Sequence, residues 1–456
     1  MFMDPAAAGT PAAAALAKLG YERYELFASG SANVYAYGPR GKVRVDQREV
    51  PFTTRIVVVR PVDPRRFSGN VQLVPMHPAA GASGWDQMSG YAAAHGDALV
   101  AVMIGADDNT RHAPPGPEPM IMPLRLKAYD PARYAPIKWG DEDGIRWDVF
   151  AETAEEARDD PALLHGLKAK RVYASGWSFT GSFLRTFINS GFHAIRSRPG
   201  HPLIDGYLIG ISSFSYISGY VPINSHSANL AVSDPRRPNV PIDVPVIEMQ
   251  SENEALTNRD PQSPDRDRGP GAHRLYEIPG LTHGGGIAGR PAARAPQPGS
   301  ACTLTTTDVN MADYGQAALQ NLDRWVTASV PPPRVPRMKA AAGKAIKDED
   351  GNTLGGLRPA QLQVPLARYG APPEGSACGV ARGLGTPVIP MYRNPLRSER
   401  LAALYPGGEP EYLRKFDAAV DRLVAARLIR RPDGEREKSE ARGWAANAFT
   451  ASSERR

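Results

Sequence analysis

The residues with the clearest potential for chemistry lie in a short turn flanked by glycines, GWSFTG at residues 176–181. An apolar run, RVYA, precedes this turn, and a helical pattern with Phe183, Leu184 and Phe187 on one side follows it. A strand, a tight turn around a serine and a helix form the layout of a nucleophile elbow, which lifts the hydroxyl of Ser178 off the strand end. The plainer interpretation is that Ser178 only caps the helix.

A serine hydroxyl becomes a good nucleophile when an imidazole takes its proton, and the imidazole needs a carboxylate to orient it. Both residue types follow at the ends of later apolar runs. His283 closes the segment HRLYEIPGLTH, and Glu252 and Glu254 follow the run VPVIEMQ. A turn swings two such glutamates apart, so we expect only one of them to reach His283. The residues themselves leave the choice open, and a plain loop histidine is the competing interpretation for His283.

An oxyanion hole needs two backbone N–H groups aimed at the developing negative charge. We expect one from Phe179, the residue after the serine. The other is expected from the loop HPAAG, which follows a predicted strand over residues 71–76. Because Pro78 has no N–H, Ala79 is the preferred donor and Ala80 its alternative. A simple turn would explain the same residues without chemistry.

Short apolar runs alternate with helical patterns, which predicts an α/β fold with a buried, mostly parallel sheet flanked by helices. The carboxyl ends of such strands share one edge, where open α/β sheets place their sites. Strands are predicted over residues 34–37, 43–45, 55–60, 71–76, 98–104, 171–174, 205–211, 244–250 and 273–278, and helices over 85–95, 144–158 and 311–329.

Two long segments lack hydrophobic periodicity, about 106–140 and 212–243. Both contain proline and aromatic residues, so we expect lid-like insertions that line a pocket. The pattern of apolar and charged residues changes after Pro333. This change predicts a catalytic domain over residues 1–335 and a C-terminal extension over 336–456.

The extension contains a predicted helix over 410–430 whose apolar stripe is expected to pack on the catalytic domain. Arg430 and Arg431 are expected to be solvated at its end, and the charged residues 435–456 to fray.

The composition argues against several classes of protein. The net charge of +6 is modest and interspersed, which does not indicate nucleic-acid binding. No window approaches the ~20 apolar residues of a membrane helix. The N-terminus has Asp4 and Pro5 where a signal peptide would be apolar, so we predict a cytoplasmic protein. Cys302 and Cys378 are then expected to be free thiols, or one bridge if the protein is exported. The histidines form no metal-binding pattern.

The chain resembles the "alpha/beta hydrolase domain" proteins, a family of bacterial proteins, from about Val50 to the C-terminus. Several long segments carry the resemblance: TRIVVVRP (54–61), GWS and Gly181 followed by LRTF (176–187), VPV (244–246), SENE (251–254), RLYEIPG and His283 (274–283), LDRWV (322–326), and GGLR with a later VP (355–365).

The resemblance implies an α/β-hydrolase fold with a serine nucleophile and no cofactor. Carried onto this chain, the nucleophile is Ser178, the base is His283 and the acid is Glu254, with Glu252 as the alternative. The family often has Gln-Ser-Gly where this chain has FTG after Ser178, and Asn-Arg-Gly where it has HPA. Both changes flank the expected oxyanion hole, so we expect a substrate preference different from that of relatives.

We therefore predict a serine hydrolase that cleaves a carboxylic ester through an acyl-enzyme. Its expected partner is a small-molecule ester, without a metal, nucleic acid or membrane, and its oligomeric state is left open. One alternative is an amidase or thioesterase that uses the same residues. Another is a catalytically inert binding protein on the same fold.

Overall fold

The computed structural model describes residues 11–76, 84–105, 126, 130–139, 142–198, 200–212, 221–227, 230, 234, 241–257, 263–283, 286, 301–372, 377–378 and 391–453. An eight-stranded sheet lies at its centre, in the order β1-β2-β4-β3-β5-β6-β7-β8. The strands are β1 (Tyr21–Tyr37), β2 (Val43–Pro61), β3 (Asn70–Met76), β4 (Ala98–Met103), β5 (Arg171–Trp177), β6 (Gly206–Gly210), β7 (Val246–Ser251) and β8 (His273–Ile278).

The sheet is parallel from β4 through β8, and only β1 and β2 run antiparallel to their neighbours. This confirms the predicted α/β fold with a mostly parallel sheet. The strands predicted over 34–37 and 43–45 are present and pair as an antiparallel hairpin, but the strands predicted over 43–45 and 55–60 are one long strand, β2. The first half of β2 is charged and largely exposed, whereas its second half is buried, which is why the sequence pattern divides it in two.

Helices cover both faces of the sheet. They are α1 (Pro11–Lys18), α2 (Trp85–His95), α3 (Pro131–Tyr134), α4 (Arg146–Asp159), α5 (Phe179–Asn189), α6 (Phe192–Arg196), α7 (Glu252–Thr257), α8 (Met311–Ala328), α9 (Ala360–Gln363), α10 (Ser398–Leu404), α11 (Gly408–Ala425) and α12 (Arg431–Ser453). Successive residues of the buried strands face opposite cores, as period-two side-chain geometry requires. Val58 packs with α4, α5 and α6, whereas its neighbours Val57 and Val59 pack with α2 and α8.

The C-terminal part of the chain packs into the core that contains α2 and α8. Tyr412 and Phe416 of α11 are buried there, and short strands β9 (Ala340–Ala341), β10 (Lys344–Ala345), β11 (Ala367–Gly370) and β12 (Tyr392–Pro395) precede them. The domain boundary at residue 335 stays a prediction. So do the two insertions, most of whose residues lie outside the described part of the chain.

The expectation that residues 435–456 fray is wrong for residues 435–453, because these belong to α12, which packs against α11. Arg430 is buried rather than solvated, and its guanidinium donates hydrogen bonds to Asp433 and Gln316. The packed side of α12 is charged in its first half, at Glu437, and apolar in its second half, where Ala441 and the partly buried Trp444 and Phe449 meet the core. Charged residues surround this apolar stripe in the sequence, which is why the segment resembles a solvated tail.

The expectation of free thiols is also wrong. Cys302 and Cys378 form a disulfide, with their Cα atoms 4.3 Å apart. Among the helices that the structure describes, none has both the length and the apolar composition to cross a membrane.

Candidate active site

Ser178 lies between β5, which ends at Trp177, and α5, which begins at Phe179. Its backbone has φ 58° and ψ −123°, a region that residues other than glycine rarely occupy. The Ser178 N–H donates to the carbonyl of Gly210 in β6, at 3.0 Å. The local structure is therefore the strained strand-turn-helix that the GWSFTG pattern predicts.

The two glycines around Ser178 are required by close backbone approach. A Cβ atom on Gly176 would lie 2.4 Å from the carbonyl oxygen of Thr180, and one on Gly181 would lie 2.9 Å from that of Gly210. The hydroxyl of Thr180 accepts from the N–H of Trp177 at 2.7 Å and lies 2.9 Å from its carbonyl oxygen. Thr180, which departs from the residues expected in the family, therefore holds the base of the turn through these two contacts.

The Trp177 ring lies against two further glycines. A Cβ on Gly210 of β6 would lie 2.0 Å from this ring, and one on Gly315 of α8 would lie 2.8 Å from it. The indole therefore fills the space between β6 and α8 directly beside Ser178.

The structure brings Ser178, His283 and Glu254 together. The Oγ of Ser178 lies 2.8 Å from Nε2 of His283, and Nδ1 of the same ring lies 2.7 Å from Oε1 of Glu254. These residues follow β5, β8 and β7, whose carboxyl ends share one edge of the sheet. Because an ionised carboxylate can only accept, Nδ1 carries the hydrogen and Nε2 is left to accept from the serine hydroxyl.

Glu254 is fully buried, and its second oxygen is also engaged. The backbone N–H of Ser251 donates to Oε2 at 3.0 Å, and the Ser251 hydroxyl donates to the same oxygen. Ser251 was not among the residues predicted for the site. The signal was present, since Ser251-Glu252-Asn253-Glu254 has the S-x-x-E spacing of a capping box before a helix, and α7 begins there.

Glu252, the alternative acid, does not contact His283. Its Oε2 accepts from the N–H of Gly280 at 2.7 Å, and its Oε1 accepts from Nζ of Lys347 at 2.7 Å and from the hydroxyl of Thr353 at 2.8 Å. The segment predicted as a turn is the helix α7, and this helix sends its two glutamates in different directions.

The structure describes only one of the two predicted oxyanion donors. Phe179 is the first residue of α5, at the N-terminal end of the helix that follows Ser178. Ala79 lies outside the described residues. Within the described residues, no group of three or more His, Cys, Asp or Glu side chains is placed to hold a metal ion.

A family model described as "Alpha/beta hydrolase domain" matches residues 4–439 of the chain. Among solved structures, an esterase from Pseudomonas putida ECU1011 aligns with 13% identity and a TM-score of 0.30, over 53% of this chain and 70% of its own. A hyperthermophilic esterase from the archaeon Pyrobaculum calidifontis aligns with 13% identity and a TM-score of 0.29, over 60% of this chain and 82% of its own. No curated protein matches the chain significantly.

Proposed function

The chain belongs to the alpha/beta hydrolase domain family, and on that premise we propose that it is a serine hydrolase that cleaves a carboxylic ester. One observation carries the proposal: two consecutive hydrogen bonds link Ser178 to His283 and His283 to Glu254. Nucleophile, base and orienting acid are the three parts that acyl transfer needs. These side chains supply all three, so the proposed reaction needs no cofactor.

In the first half-reaction, Oγ of Ser178 attacks the carbonyl carbon of the ester and its proton passes to Nε2 of His283. The resulting imidazolium lies against the buried carboxylate of Glu254, which stabilises the positive charge. When the tetrahedral intermediate collapses, the C–O bond to the alcohol breaks, and Nε2 returns the proton to the leaving oxygen. The acyl group remains on Ser178.

In the second half-reaction, water replaces the alcohol and the same proton transfers run again. Nε2 of His283 takes a proton from the attacking water, and the acid is released as Oγ of Ser178 recovers its hydrogen. We assign the amide of Phe179 to the oxyanion on the basis of its place at the start of α5. Ala79 remains the proposed second donor.

The expected cytoplasmic location stays a prediction, and the Cys302–Cys378 disulfide weighs against it. Disulfides persist mainly in oxidising compartments, where a structural bridge is not reduced.

Covalent labelling with a fluorophosphonate tests the proposal. We expect a single adduct on Ser178 and none in the Ser178→Ala variant. Ser175→Ala is a matched control, because its hydroxyl is buried in β5 and makes no hydrogen bond to the described residues. We also expect turnover of p-nitrophenyl acetate to fall by at least about 1,000-fold in His283→Ala. A wild-type protein without an adduct, or an equal adduct in Ser178→Ala, would contradict the proposal.

A further inference from the structure

Glu252 occupies a buried position between the loop of His283 and the C-terminal part of the chain. Its side chain is only 3% exposed, and each of its two oxygens is engaged in a different direction. Oε2 accepts from the backbone N–H of Gly280, which lies three residues before His283. Oε1 accepts from Lys347 and Thr353. One carboxylate thus joins two segments that are distant in sequence.

The partners on the C-terminal side are themselves fixed. Nζ of Lys347 lies 2.6 Å from the hydroxyl of Thr353, and the two residues pair as an antiparallel bridge. Thr353 is fully buried. The turn between them is closed by Asp348, whose carboxylate accepts from the N–H groups of Asp350 and Asn352. The cation therefore meets Glu252 with little freedom to move.

The same C-terminal segment holds the strand that leads to His283. The carbonyl of Glu277 in β8 accepts from the N–H of Leu357 at 2.8 Å, and the Glu277 carboxylate accepts from the N–H of Met338 at 2.6 Å. Leu362 packs against Gly280 so closely that a Cβ there would lie 2.9 Å away. Residues 277–283 thus contact α7 through Gly280 and His283, and the C-terminal segment through Glu277 and Gly280.

Helix α7 therefore holds this loop at two points, with Glu252 on Gly280 and Glu254 on His283. We infer that Glu252, Lys347 and Thr353 are positioning residues, which set the place of His283 relative to Ser178 and make the C-terminal segment part of the catalytic assembly. This inference rests on the proposed hydrolase function. Without Lys347 the buried Glu252 would be an unpaired charge, so the contact to Gly280 depends on the cation.

The magnitude follows from geometry. A misplacement of about 1 Å in a catalytic group costs about 100-fold in rate. We therefore expect Glu252→Ala and Lys347→Met to lower kcat for p-nitrophenyl acetate by about 10- to 100-fold, with KM changed less than about twofold. Thr353→Val is expected to lower kcat by a smaller factor, and Lys347→Arg to recover most of the loss because it restores the cation.

The matched control is Arg400→Met, which removes an ion pair to Asp350 in the turn between Lys347 and Thr353. This change leaves the contacts of Glu252 intact. Its kcat is expected to stay within about twofold of wild type. All variants are assayed at a temperature at which circular dichroism shows them folded. If Glu252→Ala does not fold, the kcat values of Lys347→Met and Thr353→Val decide whether these residues position His283.

Two results would overturn the positioning role. One is that the folded Lys347→Met and Thr353→Val variants keep wild-type kcat and fluorophosphonate labelling rate. The other is that Arg400→Met loses as much activity as Lys347→Met, which would indicate general loosening of the hairpin. Absence of labelling at Ser178 in the wild-type protein would instead contradict the hydrolase function itself, so the two failures are distinguishable.

Discussion

Ser251 donates two hydrogen bonds to Oε2 of Glu254, one from its backbone N–H and one from its hydroxyl. The other oxygen of the same carboxylate faces His283. Both oxygens of a fully buried group are thus fixed by the protein, so in the proposed mechanism Glu254 does not need to reorganise when the imidazole becomes charged.

The two glutamates of α7 are expected to respond very differently to loss of charge. Glu254→Gln should lower kcat by at least about 100-fold, because its amide disturbs the tautomer and the charge stabilisation of His283. Glu252→Gln keeps an oxygen for the N–H of Gly280, so its loss should not exceed about tenfold. Steady-state kinetics with p-nitrophenyl acetate measures both. A larger loss in Glu252→Gln than in Glu254→Gln would show that the acid is assigned to the wrong residue.

The hydroxyl of Ser251 should have a measurable effect on rate. Ser251→Ala removes one of the two donors to Glu254 and keeps the backbone N–H. A hydrogen bond to a charged group contributes about 1.5–3 kcal/mol, so we expect kcat to fall by about 10- to 150-fold with little change in KM. Ser175→Ala, also in a buried strand, is the control. An unchanged kcat in folded Ser251→Ala would mean that the backbone donor is sufficient.

The backbone of Ser178 should impose a cost in stability. At φ 58° and ψ −123° a side chain is strained by about 1–3 kcal/mol, whereas glycine adopts this conformation freely. We expect Ser178→Gly to have a free energy of unfolding about 1 kcal/mol above that of Ser178→Ala. Both variants lack the proposed nucleophile, so a difference in function does not confuse the comparison. Chemical denaturation measures the difference, and equal stability would argue against strain at the turn.

The contact between α12 and α8 is expected to weaken as the pH rises. Burial, followed by the neighbouring charge of Asp313, raises the pKa of Glu437 well above its usual 4.5. Arg436 opposes this shift and Glu440 adds to it. The folded state therefore keeps a proton that the unfolded chain has released. The resulting stability is fully present below about pH 4.5 and is lost as the pH rises through the folded pKa.

Thermal unfolding of Glu437→Gln tests this pH dependence, because the amide imitates the protonated acid. Between pH 6 and pH 9 we expect wild type to lose stability relative to Glu437→Gln. The free energy of unfolding should fall by about 1.4 kcal/mol for each pH unit until the pH reaches the folded pKa of Glu437. Glu435→Gln, an exposed position in the same helix, is the control. Parallel pH profiles for wild type and Glu437→Gln would contradict the assignment.

The two cysteines should be unreactive in the native protein. We expect thiol titration in denaturant to find no free thiol before reduction and two after it. The sequence separation of 76 residues predicts a loss of about 4 kcal/mol in the Cys302→Ser/Cys378→Ser variant, on the chain-entropy account of disulfides. Wild type treated with reductant should unfold like this variant. Two free thiols in the untreated protein would restore the original expectation.

The elements that could be predicted from the sequence are those in which burial produces a regular spacing of apolar residues. β8 and α2 begin and end where the sequence predicts, because β8 is buried along its whole length and α2 is bounded by glycines at both ends. The long strand β2 was divided because its exposed half is charged. The packing of α12 was missed since charged residues dominate its sequence and surround the apolar residues that meet the core.

The site shows the same division between local and distant information. The turn around Ser178 and the position of His283 at a strand end could be predicted from residues close in sequence. The residues left Glu252 and Glu254 undecided, since which glutamate meets the imidazole depends on how α7 lies on the loop. Lys347 and Thr353 gave no signal, because they come to Glu252 only through tertiary packing.

The wedge of Trp177 between Gly210 and Gly315 has a consequence for how related sequences diverge. Three positions share one volume, so a side chain at either glycine requires a smaller residue at 177. Relatives that keep the tryptophan are expected to keep both glycines. Those that replace it are free to gain side chains on β6 and α8. Substitutions at positions 177, 210 and 315 should therefore occur together. A change at one of them indicates that the packing beside the serine differs in that group of relatives.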